Sequence, residues 1–336
     1  MTRKTVFTFL RVAVGVLLVI VLINTGAIDW SVLLRLASDW WVVTVALGMF
    51  LAATLMMAWR ACVLLRPRGF EMSLWASFQL TVIGVLFNTC LPGATGGDAV
   101  RIYYATAGNT GRKTEVVTIF LLDRAIGLLS LLLLPFPFLV AAPALGGSGI
   151  IRGLVIAAAV FASIIVLGTL VLFSPFVRNS GLFAWLRSVP VGRTIATIVD
   201  TVHAYRQHPG ALFSALGISI VAQLLTVSVL LLFARAVSPG ATVWQAATVI
   251  PLGLLANGIP VTPGGLGVGE AAFDQLFQMA GLSGGAEVLL GWRFLSLVGA
   301  LAGLVFFLKG KGRYVNSQGA PAAHGESTKV AVQLPA

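Results

Sequence analysis

Apolar residues occur along this chain in long stretches that are separated by short polar segments. Six of these stretches are long enough to form membrane-spanning helices, which need about 20 mainly apolar residues. They cover residues 6–26, 40–59, 116–140, 151–173, 211–236 and 287–308. The pattern therefore predicts an all-α integral membrane protein.

Two further apolar stretches, residues 74–108 and 244–283, are each interrupted by proline and glycine. Basic residues indicate on which side they begin and end, because Lys and Arg collect on cytoplasmic loops. The basic segments are the N-terminus, residues 59–73, 101–115 and 174–210, and the tail from Lys309. If all of these face the cytoplasm, the first stretch enters and leaves on the cytoplasmic side and the second on the outer side. We therefore predict six spanning helices and two opposed re-entrant hairpins, with both termini in the cytoplasm.

A displacement of 169 positions superposes identical residues from the two halves of the chain. The pairs are Trp75/Trp244, Gly84/Gly253, Asn88/Asn257, Gly96/Gly265 and Arg124/Arg293. Chance is one explanation in so apolar a chain, but the matches include a Trp, an Asn and an Arg inside an apolar helix. We interpret them as an inverted-topology repeat, about 6–140 and 151–308, in a single membrane domain of residues 1–310. Transporters often use such repeats to build a site near the bilayer midplane.

Composition narrows the functional classes. The 336 residues are 58% hydrophobic and 10% charged, and no polar connection is long enough to form a soluble domain with its own core. The net charge of +11 is spread over many short loops, so membrane topology explains it and a nucleic-acid partner is not expected. The tail, residues 311–336, is polar and aperiodic, which predicts a disordered cytoplasmic segment. Cys62 and Cys90 fit as small apolar fillers.

The N-terminus has a second interpretation. Arg3 and Lys4, followed by an apolar run to Ile23, resemble a signal peptide, with Thr25–Ala27 as a cleavage site. Because the run is long for a signal peptide, we expect a spanning helix there. We place the protein in the bacterial inner (plasma) membrane.

The two interrupted stretches contain backbone that must leave the helix, because proline removes a donor and glycine permits strained dihedrals. The residues that shape these breaks are Pro92, Gly93, Gly96, Gly97, Pro260, Pro263, Gly264, Gly265 and Gly267. Irregular backbone at membrane depth is tolerated only where it is buried in protein or lines a wet cavity. Helices that start near Asp98 and Gly267 would point free N–H groups into that cavity, which suits a phosphate or carboxylate. The alternative is that the breaks only pack closely against neighbouring helices.

Seven polar residues at or near the breaks are candidates for binding or gating a substrate. They are Asn88, Asp98, Arg101, Arg124, Asn257, Glu270 and Arg293. A central arginine in a spanning helix costs at least about 2.5 to 3.5 kcal/mol, so we expect carboxylates to compensate the two arginines that lie well inside apolar helices. Asp123 points away from its neighbour Arg124, and Asp98 or Glu270 is the expected partner.

At the same displacement Arg101 corresponds to Glu270. Opposite charges at equivalent positions could pair across the repeat axis and be separated by substrate. A static buried ion pair is the alternative. No phosphate-binding loop of the Gly-x-x-x-x-Gly-Lys-Ser/Thr type occurs, so transport would be passive or ion-coupled, and we expect no metal or other cofactor.

These motifs resemble the membrane domain of the lysylphosphatidylglycerol synthase family, also described as flippase-like membrane proteins. The residues that carry the resemblance are Asn88, Leu91–Gly93, Gly96–Asp98, Arg101, Asp123–Arg124, Gly127–Leu128, Pro263–Gly267 and Glu270. The resemblance implies a module that moves a positively charged or glycosylated lipid outward from the inner leaflet. Members that aminoacylate lipid carry a further soluble domain, where this sequence has a short tail, so lysyl transfer is not implied. Some relatives are coupled to glycosyltransferases.

Three functions are consistent with the sequence. The first is a lipid flippase or scramblase without a synthase domain, whose partner is a membrane lipid. The second is a membrane-embedded enzyme acting on a lipid phosphate, with Asp98 and Glu270 as acid and base. The third is a scaffold for a lipid-modifying enzyme or a glycosyltransferase. We expect the first function, without catalytic residues.

Overall fold

The structure is a computed structural model that describes most of the chain. The described residues are 40–90, 96–107, 111–141, 149–174, 189–238, 240, 242–258, 267–309 and 316–317. The predicted helix at 6–26 lies outside them, as do six predicted break residues: Pro92, Gly93, Pro260, Pro263, Gly264 and Gly265.

The described elements are helices, apart from one pair of two-residue strands. The helices are α1 (Trp40–Leu65), α2 (Leu74–Cys90), α3 (Gly96–Thr106), α4 (Lys113–Leu133), α5 (Pro135–Ala141), α6 (Gly149–Phe173), α7 (Pro190–Ala204), α8 (Pro209–Val237), α9 (Val243–Asn257), α10 (Val268–Met279) and α11 (Gly285–Lys309). Single 3-10 turns, Arg66–Arg68 and Tyr205–Gln207, follow α1 and α7.

Five helical segments are long and apolar enough to cross a membrane, and they match five of the six predicted spans. They are Trp40–Arg68, Lys113–Ala141, Gly149–Phe173, Pro209–Val237 and Gly285–Lys309. The chain is therefore a multi-pass helical membrane protein. One boundary was wrong in a way that matters: α1 continues past residue 59 to Leu65. Arg60, which the sequence placed in a cytoplasmic loop, lies inside this helix and is buried.

Each interrupted stretch forms two short helices packed against each other: α2 with α3, the first hairpin, and α9 with α10, the second hairpin. In the first hairpin, Asn88 contacts Gly97, and a Cβ on Gly84 would lie 2.9 Å from the side chain of Arg101. The close approach depends on glycine, because a Cβ on Gly97 would overlap the Gly84 carbonyl group.

The second hairpin repeats this register. Asn257 lies against Gly269, and a Cβ on Gly253 would lie 2.7 Å from the ring of Phe273. The contacts make Gly269 the counterpart of Gly97 and Phe273 the counterpart of Arg101, a displacement of 172 positions. The stretch of sequence between the contacting Asn and Gly, which we call the hairpin turn, is thus three residues longer in the second hairpin than in the first.

The helix order of the first half recurs in the second. Trp40 and Pro209 start α1 and α8, and Leu74 and Val243 start α2 and α9, in both cases 169 positions apart. The helices α1 and α8 pack antiparallel. The hydroxyl group of Tyr205, just before α8, donates to the carbonyl of Leu64 at the end of α1, whereas positions earlier in α1 contact positions later in α8.

The last described residues pair with the loop after α1. Strand β2 (Asn316–Ser317) runs antiparallel to β1 (Phe70–Glu71), and Phe70 is fully buried beneath it. Two residues of the predicted disordered tail therefore form a strand. The other tail residues from 311 onward lie outside the described part of the chain.

Candidate functional site

A cavity of about 620 Å³ lies between the two hairpins and the helices α1, α4, α8 and α11. Its volume is in the range of ligand-binding pockets. Six of the seven candidate binding or gating residues line it: Asn88, Asp98, Arg101, Arg124, Asn257 and Arg293. The seventh, Glu270, contacts Arg293. The structure therefore brings together all seven residues that the sequence singled out.

The lining of the cavity follows the internal repeat. Eleven lining residues of the first half each have a counterpart 169 positions later that also lines the cavity. The pairs are Phe50/Ser219, Ala53/Ala222, Thr54/Gln223, Met57/Thr226, Val85/Leu254, Asn88/Asn257, Thr89/Gly258, Asp123/Trp292, Arg124/Arg293, Gly127/Ser296 and Leu128/Leu297. The two halves therefore enclose the cavity with residues at equivalent positions.

Two equivalent ion pairs link each hairpin to the long helix that follows it. Arg124 on α4 contacts Asp98 on α3, and Arg293 on α11 contacts Glu270 on α10 at 2.6 Å between Nε and Oε1. The expectation that Asp98 and Glu270 compensate these arginines is confirmed. The Arg124 side chain is 44% exposed and that of Arg293 only 12%, so the first pair is the more accessible of the two.

The predicted pairing of Arg101 with Glu270 across the repeat axis was wrong. Arg101 Nη1 lies 3.4 Å from Asp98 Oδ1 and 3.9 Å from Asp123 Oδ2, and its guanidinium lies over the ring of Phe120. The error has a physical cause. The longer turn of the second hairpin shifts the equivalence by three residues, so Glu270 corresponds to Asp98.

Arg60 and Asp123 form a buried ion pair that sequence reasoning missed. Arg60 Nε and Nη2 donate to the two oxygens of Asp123 at 2.6 and 3.0 Å, and Nη1 donates to the Ser219 hydroxyl at 2.6 Å. Both charged side chains are 4% exposed. Gly127 makes room for this pair, because a Cβ there would lie 2.9 Å from Arg60 Nη1. An arginine followed by five apolar or small residues, Ala61–Leu65, was the available signal.

The N-termini of the short helices are less open than predicted. The Gly97 N–H donates to Asn88 Oδ1 at 2.7 Å, and the Gly267 N–H donates to Glu270 Oε2 at 2.8 Å. Side chains therefore occupy N–H groups that were expected to face a ligand, and the arginines become the main source of positive potential in the cavity.

A second polar cluster lies away from the cavity, where α1 ends and α4 begins. Arg112 donates twice to Glu115, at 2.9 and 2.6 Å, and stacks over Phe70 at 4.2 Å, while Arg68 donates to Glu115 at 2.8 Å. The hydrogen bond to Glu115 raises the pKa of Arg112. Burial raises the pKa of Tyr205 nearby. This cluster fixes the connection between the helices and does not contact the cavity.

The family model described as the lysylphosphatidylglycerol synthase TM region matches residues 8–303. A UPF0104 membrane protein from Pyrococcus horikoshii is 28% identical over 120 residues, which are 35% of this chain and 36% of that protein. The chain thus spans about a third of the length of this relative. No solved structure matches.

Proposed function

Because the chain belongs to the family of the lysylphosphatidylglycerol synthase transmembrane region, we propose that it is a lipid flippase or scramblase that moves a polar or charged lipid between leaflets. The observation that carries the proposal is the cavity, which both halves line with equivalent residues and which contains charged groups within helices that can span a membrane. Charged groups at such depth face bundle interiors or wet cavities and mark substrate pathways.

The helix arrangement supports an inverted repeat with two re-entrant hairpins. The equivalent helices α1 and α8 run antiparallel, as the two halves of an inverted repeat must. Each hairpin joins two helices shorter than a spanning helix. In this proposed arrangement the first hairpin enters from the cytoplasmic side and the second from the outer side, and the cavity lies between them.

The two equivalent ion pairs are the proposed gates. A lipid head group that carries charge can replace one partner of a pair, so that the other partner is not left unpaired in a medium of low dielectric constant. Asp98–Arg124 is accessible and Glu270–Arg293 is nearly closed. We therefore propose that, in this state, the first half admits the head group. Asn88 accepts a hydrogen bond from the Gly97 N–H at the start of α3, and Asn257 accepts one from the gating residue Arg293 at 3.4 Å.

The geometry gives less support to an enzyme that uses Asp98 and Glu270 as acid and base. Each carboxylate forms an ion pair with an arginine, an arrangement that suits a gate better than an acid or base. Among the described residues, moreover, no group of three His, Cys, Asp or Glu side chains is placed to hold a metal ion.

Reconstitution into liposomes tests the proposal. The vesicles carry head-group-labelled lipids of several classes, and the measurement is the fraction of label that becomes accessible from outside, compared with protein-free vesicles. We expect exchange that is lost in Asp98→Asn and Arg124→Gln. Arg235→Gln, at an exposed position near the end of α8, is the matched control and should exchange like the unmodified protein. Absence of exchange for every lipid class, with correctly folded protein, would contradict the proposal.

A further inference from the structure

The cavity has two walls of different chemistry. One wall, which we call the polar wall, is formed by Arg60, Asp98, Arg101, Asp123, Arg124 and Ser219. On it, Arg60 bridges Asp123 and Ser219. At the positions equivalent to Asp123 and Ser219 lie Trp292 and Phe50, and these two rings pack edge to face with centroids 5.4 Å apart. Both sets of residues line the cavity. We call the second surface the aromatic wall.

The charges in the cavity do not cancel. Four arginines, Arg60, Arg101, Arg124 and Arg293, and two aspartates line it, and Glu270, which pairs with Arg293, is the third carboxylate. Within the described part of the chain this leaves one positive charge in excess. Because Arg293 is balanced by Glu270, the excess lies on the polar wall.

The polar wall is a chain of alternating charges that ends at a solvent-accessible arginine. The order of contacts is Arg60, Asp123, Arg101, Asp98, Arg124. The first members are 4% exposed and Arg124 is 44% exposed. In addition, the Nε atom of Arg101, a side chain that is about nine-tenths buried and lines the cavity, has no hydrogen-bond partner among the described residues.

From these observations we infer that the ligand is an anionic lipid whose phosphate binds the polar wall at Arg124 and Arg101, with its apolar part against Phe50 and Trp292. This inference rests on the proposed function and specifies the lipid class. Guanidinium groups bind phosphate oxygens in bidentate geometry, and an aromatic wall suits the acyl region next to the phosphate. Asp98 is then the internal competitor that the phosphate displaces from Arg124.

Two charge-neutral double variants test the assignment. Asp98→Asn/Arg124→Gln removes the ion pair of the first half, and Glu270→Gln/Arg293→Gln removes the equivalent pair of the second half. Each protein is placed in phosphatidylcholine nanodiscs and titrated calorimetrically with dihexanoylphosphatidylglycerol. We expect the first variant to lose about tenfold in affinity, as for the loss of a charge-assisted hydrogen bond, and the second to change by less than about threefold. Equal losses in both would overturn the inference.

The single variant Asp98→Asn should bind dihexanoylphosphatidylglycerol more tightly, whereas the double variant of the first half should bind it more weakly. Without the competing carboxylate, Arg124 is released to the phosphate, so affinity for dihexanoylphosphatidylglycerol should rise several-fold. A residue that only maintained the fold would not produce tighter binding. Unchanged or weaker binding in a correctly folded Asp98→Asn protein would contradict the role of Asp98 as competitor.

Ligand comparisons separate this inference from the proposed function. We expect dihexanoylphosphatidylglycerol to bind at least about tenfold more tightly than the zwitterionic phosphatidylcholine analogue or a cationic ethylphosphocholine analogue. Glycerol phosphate, which lacks acyl chains, should bind more weakly than the lipid, and equal binding would assign the site to a soluble anion. Binding of the anionic lipid without leaflet exchange would refute transport and leave the ligand class standing. Leaflet exchange with a preference for the cationic lipid would support transport and refute the assignment of an anionic lipid.

Discussion

The two halves of the protein surround the cavity with the same helices but different side chains. The accessible ion pair of the first half and the closed pair of the second occupy equivalent places. Around them the chemistry diverges: Arg60, Arg101 and Asp123 of the first half correspond to apolar residues of the second. These residues are Val229, Phe273 and Trp292, of which Val229 and Phe273 are fully buried.

This difference lets one repeated fold meet two requirements: equivalent gates in both halves, and a binding surface that differs between them. In the proposed transport mechanism, an opposed pair of hairpins needs equivalent gates, and the ion pairs at Arg124 and Arg293 are the proposed gates. Binding a head group needs charge on one side and an apolar surface on the other, which identical halves cannot supply. Retaining the gates while exchanging the residues around them satisfies both requirements.

The largest expected effect comes from breaking the buried pair of the first half. Arg60→Leu leaves the buried Asp123 with only the more distant Arg101, at 3.9 Å, because Arg60 donates the hydrogen bonds of 2.6 and 3.0 Å to that carboxylate. Removing one partner of a buried pair costs about 3 to 5 kcal/mol. We expect a corresponding loss in the free energy of unfolding, measured by denaturant titration in detergent micelles.

The matched variant makes this site apolar, as the equivalent positions of the second half are. Arg60→Val with Asp123→Leu replaces both charges by apolar side chains, and replacing a whole buried pair is often neutral. We expect most of the stability to return, because neither charge of the pair is then left buried without the other. If the double variant is as unstable as Arg60→Leu, the buried pair contributes more to the free energy of unfolding than its replacement by apolar residues in the second half implies.

The hairpins provide a second, smaller contrast. A Cβ on Gly97 would overlap the backbone carbonyl of Gly84, whereas a Cβ on Gly269 would meet the side chains of Asn257 and Leu289. Backbone cannot move aside as a side chain can. Gly97→Ala should therefore lower the free energy of unfolding by about 3 kcal/mol and Gly269→Ala by about 1 kcal/mol.

Thermal unfolding in detergent can compare these two variants directly. Gly153→Ala, at a helical position where a Cβ has open space, controls for the general effect of alanine and should be neutral or slightly stabilising. Equal losses at Gly97 and Gly269 would mean that the two hairpins are packed alike, against the structure.

The spanning helices and the arginine–carboxylate pairs could be predicted from the sequence because each leaves a pattern in a short stretch of residues. A run of about 20 apolar residues identifies a span, and an arginine within such a run requires a carboxylate nearby. The repeat was visible because Asn88 and Asn257, among others, keep one displacement. These features needed no knowledge of which helices touch.

Two features of the site could not be predicted in this way. The three-residue difference between the hairpin turns moves Glu270 into the place of Asp98, and only the contacts Asn88–Gly97 and Asn257–Gly269 reveal the shift. The partner of Arg60 lies on another helix, 63 positions away. Near the end of an apolar run, the sequence does not distinguish a buried arginine from an arginine in a loop, because burial depends on which helices pack against it.

The smallest expected effect concerns the place where the two halves meet. Tyr205, before α8, donates a hydrogen bond to the Leu64 carbonyl at the end of α1 and is fully buried. Tyr205→Phe keeps the ring and removes the hydroxyl, which should cost about 1 kcal/mol. The dependence of stability on pH distinguishes this contact from other contributions to stability. Burial raises the pKa of Tyr205, so the folded protein keeps the phenol neutral where the unfolded chain ionises, above its ordinary pKa of about 10.

The contribution of this hydroxyl is therefore complete below pH 10 and decreases as the pH rises beyond it, because ionisation then favours the unfolded chain. Thermal unfolding of the unmodified protein should weaken more steeply above pH 10 than that of Tyr205→Phe. A mutation at the exposed Tyr103 on α3, Tyr103→Phe, should leave the slope unchanged. Parallel slopes for the protein and for Tyr205→Phe would mean that the ends of α1 and α8 separate before Tyr205 titrates, and the antiparallel contact between the halves would then hold only weakly at this end.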